Sequence, residues 1–386
     1  KGGTSLASDE DFIPASTAVS LIANGGVGNF DAIALQRKLT GTVANVAPNI
    51  SDYQEGLRGN TSPSDIEMLM QMIYLRLTAP RADANYYQVF INQMTAVLQN
   101  RNSTPGNIFE DRFMQLMFQN HPRRQPPTLQ MLEEIDLEKS LAFYQERFAD
   151  ASGLTFVFVG NFDPASLQPL VETYIGGLPT SGREAAWLDQ GIRNPSGTIR
   201  ETVRAGREPQ ARTRMVFSGS LDALDNDERI RLAAASQLLQ TRLRTIMREE
   251  LGGTYGVQVA PQMHWEPVQG FNLLIEFGSD PERADELAGI VLNEVEALKT
   301  TAPNATEFEE IRQYFLRRYE TNLRQNSYWL GQLSQAISMD MGDSPAQFLL
   351  DQPTIIAALS PEDIRDAAAR LLDSGNLVHL TLLPEN

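Results

Sequence analysis

The chain has 386 residues, 42% of them hydrophobic and 21% charged, a composition that supports two or three globular domains with sizeable cores. Acidic residues outnumber basic ones 49 to 32, for a net charge of −17, which disfavours nucleic acid and anionic membrane surfaces as partners and tolerates basic or neutral peptides. There is no cysteine, so disulfides, thiolate catalysis and Cys-ligated zinc are excluded, and no apolar run reaches the roughly 18 residues of a membrane span.

Taken in order, the chain opens at Lys1 with no Met and no signal region, so any targeting information is expected to lie outside it. Asn24-Gly25-Gly26-Val27-Gly28-Asn29-Phe30 is glycine-rich. It lacks the Lys-Ser/Thr of a phosphate-binding loop and the third glycine of the dinucleotide fingerprint, and it follows a helical pattern, so it reads as a helix stop and turn. Ser62-Pro63-Ser64-Asp65 precedes a helix marked by Ile66, Leu69, Met70, Ile73 and Leu77. Ile135-Asp136-Leu137-Glu138 opens another, which leads to an expected strand at Leu154–Gly160.

The second half repeats these signals. Val259-Ala260-Pro261 answers Val46-Ala47-Pro48, Ser279-Asp280-Pro281-Glu282 answers Ser62-Pro63-Ser64-Asp65, and Leu359-Ser360-Pro361-Glu362 with the strand Leu377–Leu383 answers the segment from Ile135 to Gly160. Offsets of roughly 213 to 224 residues mark a domain duplication, far longer than a solenoid repeat. The expectation is an α+β fold of two homologous units, residues 1–185 and 198–386, each a mainly antiparallel sheet packed against helices. A Gly- and Pro-containing linker at 186–197 joins them.

One stretch of the second unit carries candidate chemistry. Ile230, Leu232, Leu238, Leu239, Leu243, Ile246 and Met247 recur at helical spacing, placing Arg248 in a last turn that Gly252 and Gly253 end. Tyr255, Val257 and Val259 then alternate as a half-buried strand. A guanidinium at a helix end and a phenol at a strand start, joined by a tight turn, can converge on one substrate carbonyl. The competing reading is a surface Arg and a core Tyr. In the first unit Leu35 or Gln36 stands against Arg248, and Thr42 or Val43 against Tyr255, so only the second copy has the pair, as a specialised site requires.

Other chemistry is missing. His121, His264 and His379 are too far apart in sequence for a His-x-x-x-His or His-x-x-Glu-His zinc site. There is no Gly-x-Ser-x-Gly elbow, and the adjacent pairs Glu249-Glu250 and Glu309-Glu310 point about 100° apart on a helix.

The segments Lys1-Gly2-Gly3-Thr4-Ser5, Leu57-Arg58-Gly59, Arg248-Glu249-Glu250-Leu251-Gly252-Gly253-Thr254-Tyr255 and Asn326-Ser327-Tyr328-Trp329-Leu330 resemble the C-terminal half of a pitrilysin/insulinase-type zinc metallopeptidase, most similar to the bacterial PqqL-type branch. The resemblance covers nearly the whole chain. It implies the LuxS/MPP-like metallopeptidase fold, in which four homologous α+β units form two bowl-like halves that close around a peptide. The zinc site and catalytic Glu belong to the first unit. The matching positions here, Ser20-Leu21-Ile22-Ala23-Asn24 and those near Leu232 to Ser236, retain none of those residues, so the chain resembles units three and four. The resemblance further implies that Arg248 and Tyr255 reach the substrate and stabilise its developing oxyanion, with Gly252 and Gly253 allowing close approach. Zinc would be bound by the missing N-terminal half, either in the same polypeptide or a separate subunit, and the compartment would be the periplasm. Alone, the chain is expected to be inactive. The alternative is a non-catalytic scaffold or peptide-binding subunit of the same fold.

Overall fold

Aspartate marks most helix starts in this chain. Asp31, Asp83, Asp136, Asp163 and Asp225 each accept backbone N–H bonds from the first turn that follows, satisfying donors that have no partner inside the helix. The Tyr86 N–H bond foremost holds the Asp83 carboxyl below the usual range, and at Asp163 the Ser166 hydroxyl does so, helped by the Ala165 N–H.

The computed structural model describes residues 1–254, 256–340, 344–372 and 375–385, the side chains of Glu249 and Glu250 excepted. The chain folds as two units. The first comprises 1–101, 127–156 and 160–191, and the second 102–126, 157–159 and 192–386. The first unit contains α1 (Phe12–Ile22), α2 (Ala32–Lys38), the hairpin β1 (Ala44–Ile50) and β2 (Glu55–Thr61), α3 (Ile66–Thr78) and α4 (Ala84–Gln99). After α5 (Pro105–Met117), which packs with the second unit, it resumes with α6 (Leu129–Glu133), α7 (Leu137–Phe148) and α8 (Pro164–Leu170). Its core joins Ala15, Ala18, Leu21 and Ile22 of α1 to Met70 and Leu77 of α3 and to Tyr144 and Phe148 of α7. Buried Arg76 donates from Nη1 to the carbonyls of Ala23 (2.7 Å) and Gly26 (3.4 Å), a cation at the carbonyl end of α1.

The glycine-rich loop is a helix stop. Its N–H groups at Gly25, Val27 and Gly28 donate to Ile22, Phe30 and Ala79 carbonyls, which leaves no cradle for phosphate. Gly26 sits at φ 100°, where a Cβ would overlap the Phe30 carbonyl.

The second unit contains β3 (Thr198–Arg204), β4 (Ala211–Ser220), α9 (Asn226–Arg244), β5 (Val257–His264), β6 (Gly270–Ser279), α10 (Ala284–Thr300), α11 (Ala305–Asn322), α12 (Asn326–Ser338), α13 (Pro345–Leu350), α14 (Gln352–Ala358), α15 (Pro361–Leu372) and β7 (Leu377–Leu383). The five strands run in the order β3-β7-β4-β6-β5, antiparallel except for β3 against β7. One sheet face buries Met215, Phe217, Leu273 and Ile275 against Leu232, Leu239, Leu287 and Ile364 of the helices. In both units an antiparallel hairpin leads through one 3-10 turn into a helix, as the sequence repeat predicts.

Two sequence expectations meet the tertiary structure here. Leu377–Leu383 is a central strand, whereas its first-unit counterpart Leu154–Gly160 makes no ladder. Alternation and branched side chains mark a strand only if a neighbour accepts its hydrogen bonds, and the first unit's described sheet has two strands. The segment 102–126 joins the second unit through charge and aromatic contacts on the outer face of β4. Arg214 donates to both Glu110 oxygens (2.6 and 2.9 Å) and to Glu276 (2.5 Å), and its guanidinium lies over Phe113 and Phe109 at 4.5 and 5.2 Å. Burial works against the Arg214 charge, yet the bonds to Glu110 and Glu276 outweigh it and raise the pKa. Arg214→Ala leaves Glu276 and Glu110 without their main partner and should cost about 3 kcal/mol, read as a lower urea midpoint.

Buried in β7, His379 has Nε2 at 3.3 Å from Thr381 Oγ1, while Nδ1 meets no partner among the described residues. Burial, aided by the Arg200 charge and opposed by Asp285, lowers its pKa to about 4. The unfolded chain takes up this proton near pH 6.5 and the folded chain only near 4, so stability present above pH 6.5 is lost as pH falls through that window. The loss should approach about 3 kcal/mol, and His379→Leu should flatten that part of the pH–stability curve.

Candidate functional site

The candidate site is built at the end of α9. Asp225 caps the helix and Asp227 and Glu228 sit in its first turn, where negative charge is favoured. Leu232, Leu239 and Leu243 are fully buried. The helix widens into a π-turn at Thr245–Glu250, with Leu251 N–H donating to Ile246 O at 3.2 Å and Gly253 N–H to Met247 O at 2.9 Å. Met247 is buried by this turn, and its neighbour Arg248 is exposed. No described residue pairs with the Arg248 side chain, so its donors face solvent in a fixed fork.

The two glycines do different work. Gly252 takes φ 57° with open space around it, the left-handed stop of a helix. Gly253 is buried, and a Cβ there would lie 2.8 Å from Leu287 Cδ2 and 3.1 Å from Arg283 Nη1. A Cβ there would force the ends of the Leu287 and Arg283 side chains to shift. Arg283 secures the same contact by donating to Leu251 O at 3.2 Å while pairing with Glu286.

Past the glycines, Thr254 Oγ1 lies 2.6 Å from Gly278 O and accepts from Gly256 N–H at 3.2 Å. The turn is thereby tied to the end of β6. Gln240 of α9 then closes the free edge of β5, donating to Val257 O at 2.8 Å and accepting from Val259 N–H at 2.7 Å. Tyr255 lies outside the described residues. Arg248, Gly252 and Gly253 are thus placed on one rigid helix-to-strand junction. Thr254, Arg283 and Gln240, which hold that junction, carry no local sequence signal, because their partners are up to 32 positions away.

The two stretches that match the metal site carry no zinc donors. Leu21 and Ile22 of the segment Ser20–Asn24 are core residues, and Asn24 turns back to Ser20 O at 2.9 Å. Leu232, Ala234 and Ala235 are buried, and Ser236 donates to Leu232 O. Neither stretch presents imidazole or carboxylate, so the residues do not fit the metal. Among the described residues no three His, Cys, Asp or Glu side chains gather as a metal site. His121 instead caps a 3-10 turn, its Nδ1 accepting from Arg123 N–H, and burial lowers the pKa of His264.

Residues 134–315 match the family description Peptidase M16 inactive domain. An Arabidopsis thaliana protein named Zinc protease PQQL-like is 24% identical over 329 residues, covering 80% of this chain and 34% of that protein. Among solved structures, the periplasmic protease PqqL from Escherichia coli superposes with a TM-score of 0.85 at 19% identity, over 100% of this chain and 42% of that one. The peptidase M16 inactive domain from Pseudomonas fluorescens gives a TM-score of 0.80 at 18% identity, over 100% of this chain and 91% of that one. This chain therefore spans about a third of the curated relative's length and less than half of PqqL's.

The junction itself is testable. Gly252→Asn should be tolerated within about 0.5 kcal/mol, since Asn enters the left-handed region. Gly253→Ala should cost about 1–3 kcal/mol through overpacking, and thermal unfolding of the two variants side by side measures the difference.

Proposed function

We propose, from the match of residues 134–315 to the peptidase M16 inactive domain and the likeness to a PQQL-like zinc protease, that the chain is the non-metal, substrate-holding half of a zinc-dependent peptidase that hydrolyses peptides in a closed chamber. In this reading residues 1–185 and 198–386 are the family's third and fourth units. The observation that carries it is Arg248, an exposed guanidinium without a described partner on a junction pinned by Gly253, Thr254 and Gln240. Its planar donors suit a peptide carbonyl and the oxyanion that develops from it. Tyr255 adds a phenol donor seven positions on. A rigid mounting matters because donors stabilise a transition state best when they need no reorganisation.

The zinc, and the residues that bind it, are assigned to a partner N-terminal half, covalent or separate. The zinc-protease name of the Arabidopsis relative supports this, as does the absence of fitting donors at Ser20–Asn24 and Leu232–Ser236 in this chain. The partner substrate is a peptide or unfolded segment. The periplasm is the proposed compartment, on the strength of the PqqL likeness.

Packing at Leu21, Ile22, Leu232 and Ala235 supports a second reading, a non-catalytic scaffold or peptide-binding subunit of the same fold. The two separate in one assay, cleavage of a quenched fluorescent peptide by this chain alone and after assembly with its zinc-bearing half. The half-enzyme reading expects turnover only in the assembly, reduced about 100- to 1,000-fold by Arg248→Ala with zinc content unchanged. An assembled, zinc-loaded wild type without turnover would select the scaffold.

A further inference from the structure

The two units differ at one sheet edge. In the second unit β6 is an interior strand, antiparallel to β5 on one side and to β4 on the other. Register makes β1 and β2 the first-unit counterparts of β5 and β6. Val46 faces Gly59 and Pro48 faces Leu57, as Val259 faces Ile275 and Pro261 faces Leu273. Among the described residues, however, β2 has only β1 beside it. Residues 1–11 precede α1 as β4 precedes α9, but they do not run along β2. Gly2, Thr4 and Ser5 donate from their N–H groups to the Tyr53, Ser51 and Asp52 carbonyls at 2.7, 2.8 and 2.7 Å, and Gly3–Leu6 is a 3-10 turn.

Hydrogen-bond alternation tells which backbone groups are left over. Ser51 N–H bonds Gln54 O at 2.8 Å and Ser62 N–H bonds Val43 O at 2.9 Å. Between these two pairs Gly56, Arg58 and Asn60 therefore bond to β1, and the N–H and C=O groups of Leu57, Gly59 and Thr61 point away from it. No described residue pairs with those outward backbone groups, and Gly59 is exposed.

The other edge of the hairpin is protected. Pro48 stands at an outward position of β1 and has no N–H to offer, and Pro261 stands at the matching position of β5, the edge strand of its sheet. Sheets confine proline to such places. Gln240 covers two further groups of the β5 edge. β2 has no proline between Glu55 and Thr61, and its unpaired donors and acceptors are a template for another strand.

We propose that the outer edge of β2 receives an extended segment of the N-terminal half, running antiparallel in the place that β4 holds beside β6. Such a strand runs from Thr61 toward Glu55 and ends beside Gly3, whose N–H is bound to Glu55 Oε2 at 2.5 Å. The second unit also supplies its chemistry. Met215 and Phe217 of β4, opposite Ile275 and Leu273, pack against the helices. The incoming strand accordingly carries apolar side chains at the alternate positions opposite Gly59 and Leu57. That face looks onto α3, with Leu69 Cδ1 3.0 Å from the place of a Gly59 Cβ. The Arabidopsis relative, 34% of which is matched, has sequence outside the match to supply such a strand. The open edge stands on the geometry alone, whereas the source of the strand rests on the half-enzyme reading above.

Amide hydrogen exchange resolved by residue tests this, comparing the 386-residue chain alone with its assembly with the zinc-bearing half. Leu57, Gly59 and Thr61 should exchange at least about 100-fold more slowly in the assembly. Gly56, Arg58 and Asn60, already bonded to β1, should be protected in both, an alternation that a covering loop would not produce. Fast exchange at Leu57 and Gly59 in an assembly that turns over peptide overturns the strand and leaves the half-enzyme reading intact. Protection in a zinc-loaded assembly without turnover keeps the strand and counts against that reading. Protection already present in the isolated chain, with light scattering at twice the monomer mass, gives the edge to a second copy and overturns the N-terminal half as its source.

Discussion

Gly253 leaves 2.8 Å between the place of a Cβ and Leu287 Cδ2, and the second unit's candidate site depends on that closeness. Because the turn after α9 lies against the start of α10, Arg283 reaches the Leu251 carbonyl and Thr254 reaches the end of β6. The chain then enters β5 in a register that lets Gln240 satisfy both Val257 O and Val259 N–H. Arg248 is presented from a helix end fixed on two sides.

Charge in this acidic chain is organised around a few arginines. Arg214 ties α5 to β4 and β6 through Glu110 and Glu276. Arg242 joins three helices by gripping both Glu307 oxygens, at 2.7 and 2.9 Å, and Glu294 at 3.0 Å. Both are half-buried or deeper, where a forked pair is screened less than on the surface. Arg248, Arg317 and Arg318 are exposed, and Arg229 is buried without a carboxylate. The structural arginines have their anions inside the fold, whereas these four have none among the described residues.

The stretches Ser20–Asn24 and Leu232–Ser236 carry neither imidazole nor carboxylate, and core residues fill them, Leu21 and Ile22 in one unit and Leu232 and Ala235 in the other.

Much of this was legible in the residues alone. The helix starts after Ser62-Pro63-Ser64-Asp65, at Ile135-Asp136 and after Ser279-Asp280-Pro281-Glu282 followed from local turn signals. The hairpin-to-helix order shared by both units followed from paired Val-Ala-Pro and turn signatures. The helix stop at Gly252 followed from its position after an apolar period. The metallopeptidase likeness followed from segments such as Arg248–Tyr255. Tertiary structure decided the rest, because the partners are distant in sequence. It left Leu154–Gly160 without a ladder although its pattern matches that of Leu377–Leu383. It drew α5 onto the second unit through Arg214, 104 positions from Glu110. It gave Gly253 a role different from that of Gly252. Capping, periodicity and turn chemistry act within a few residues and are written locally. Strand pairing, close packing and charge compensation depend on which distant groups the fold brings together.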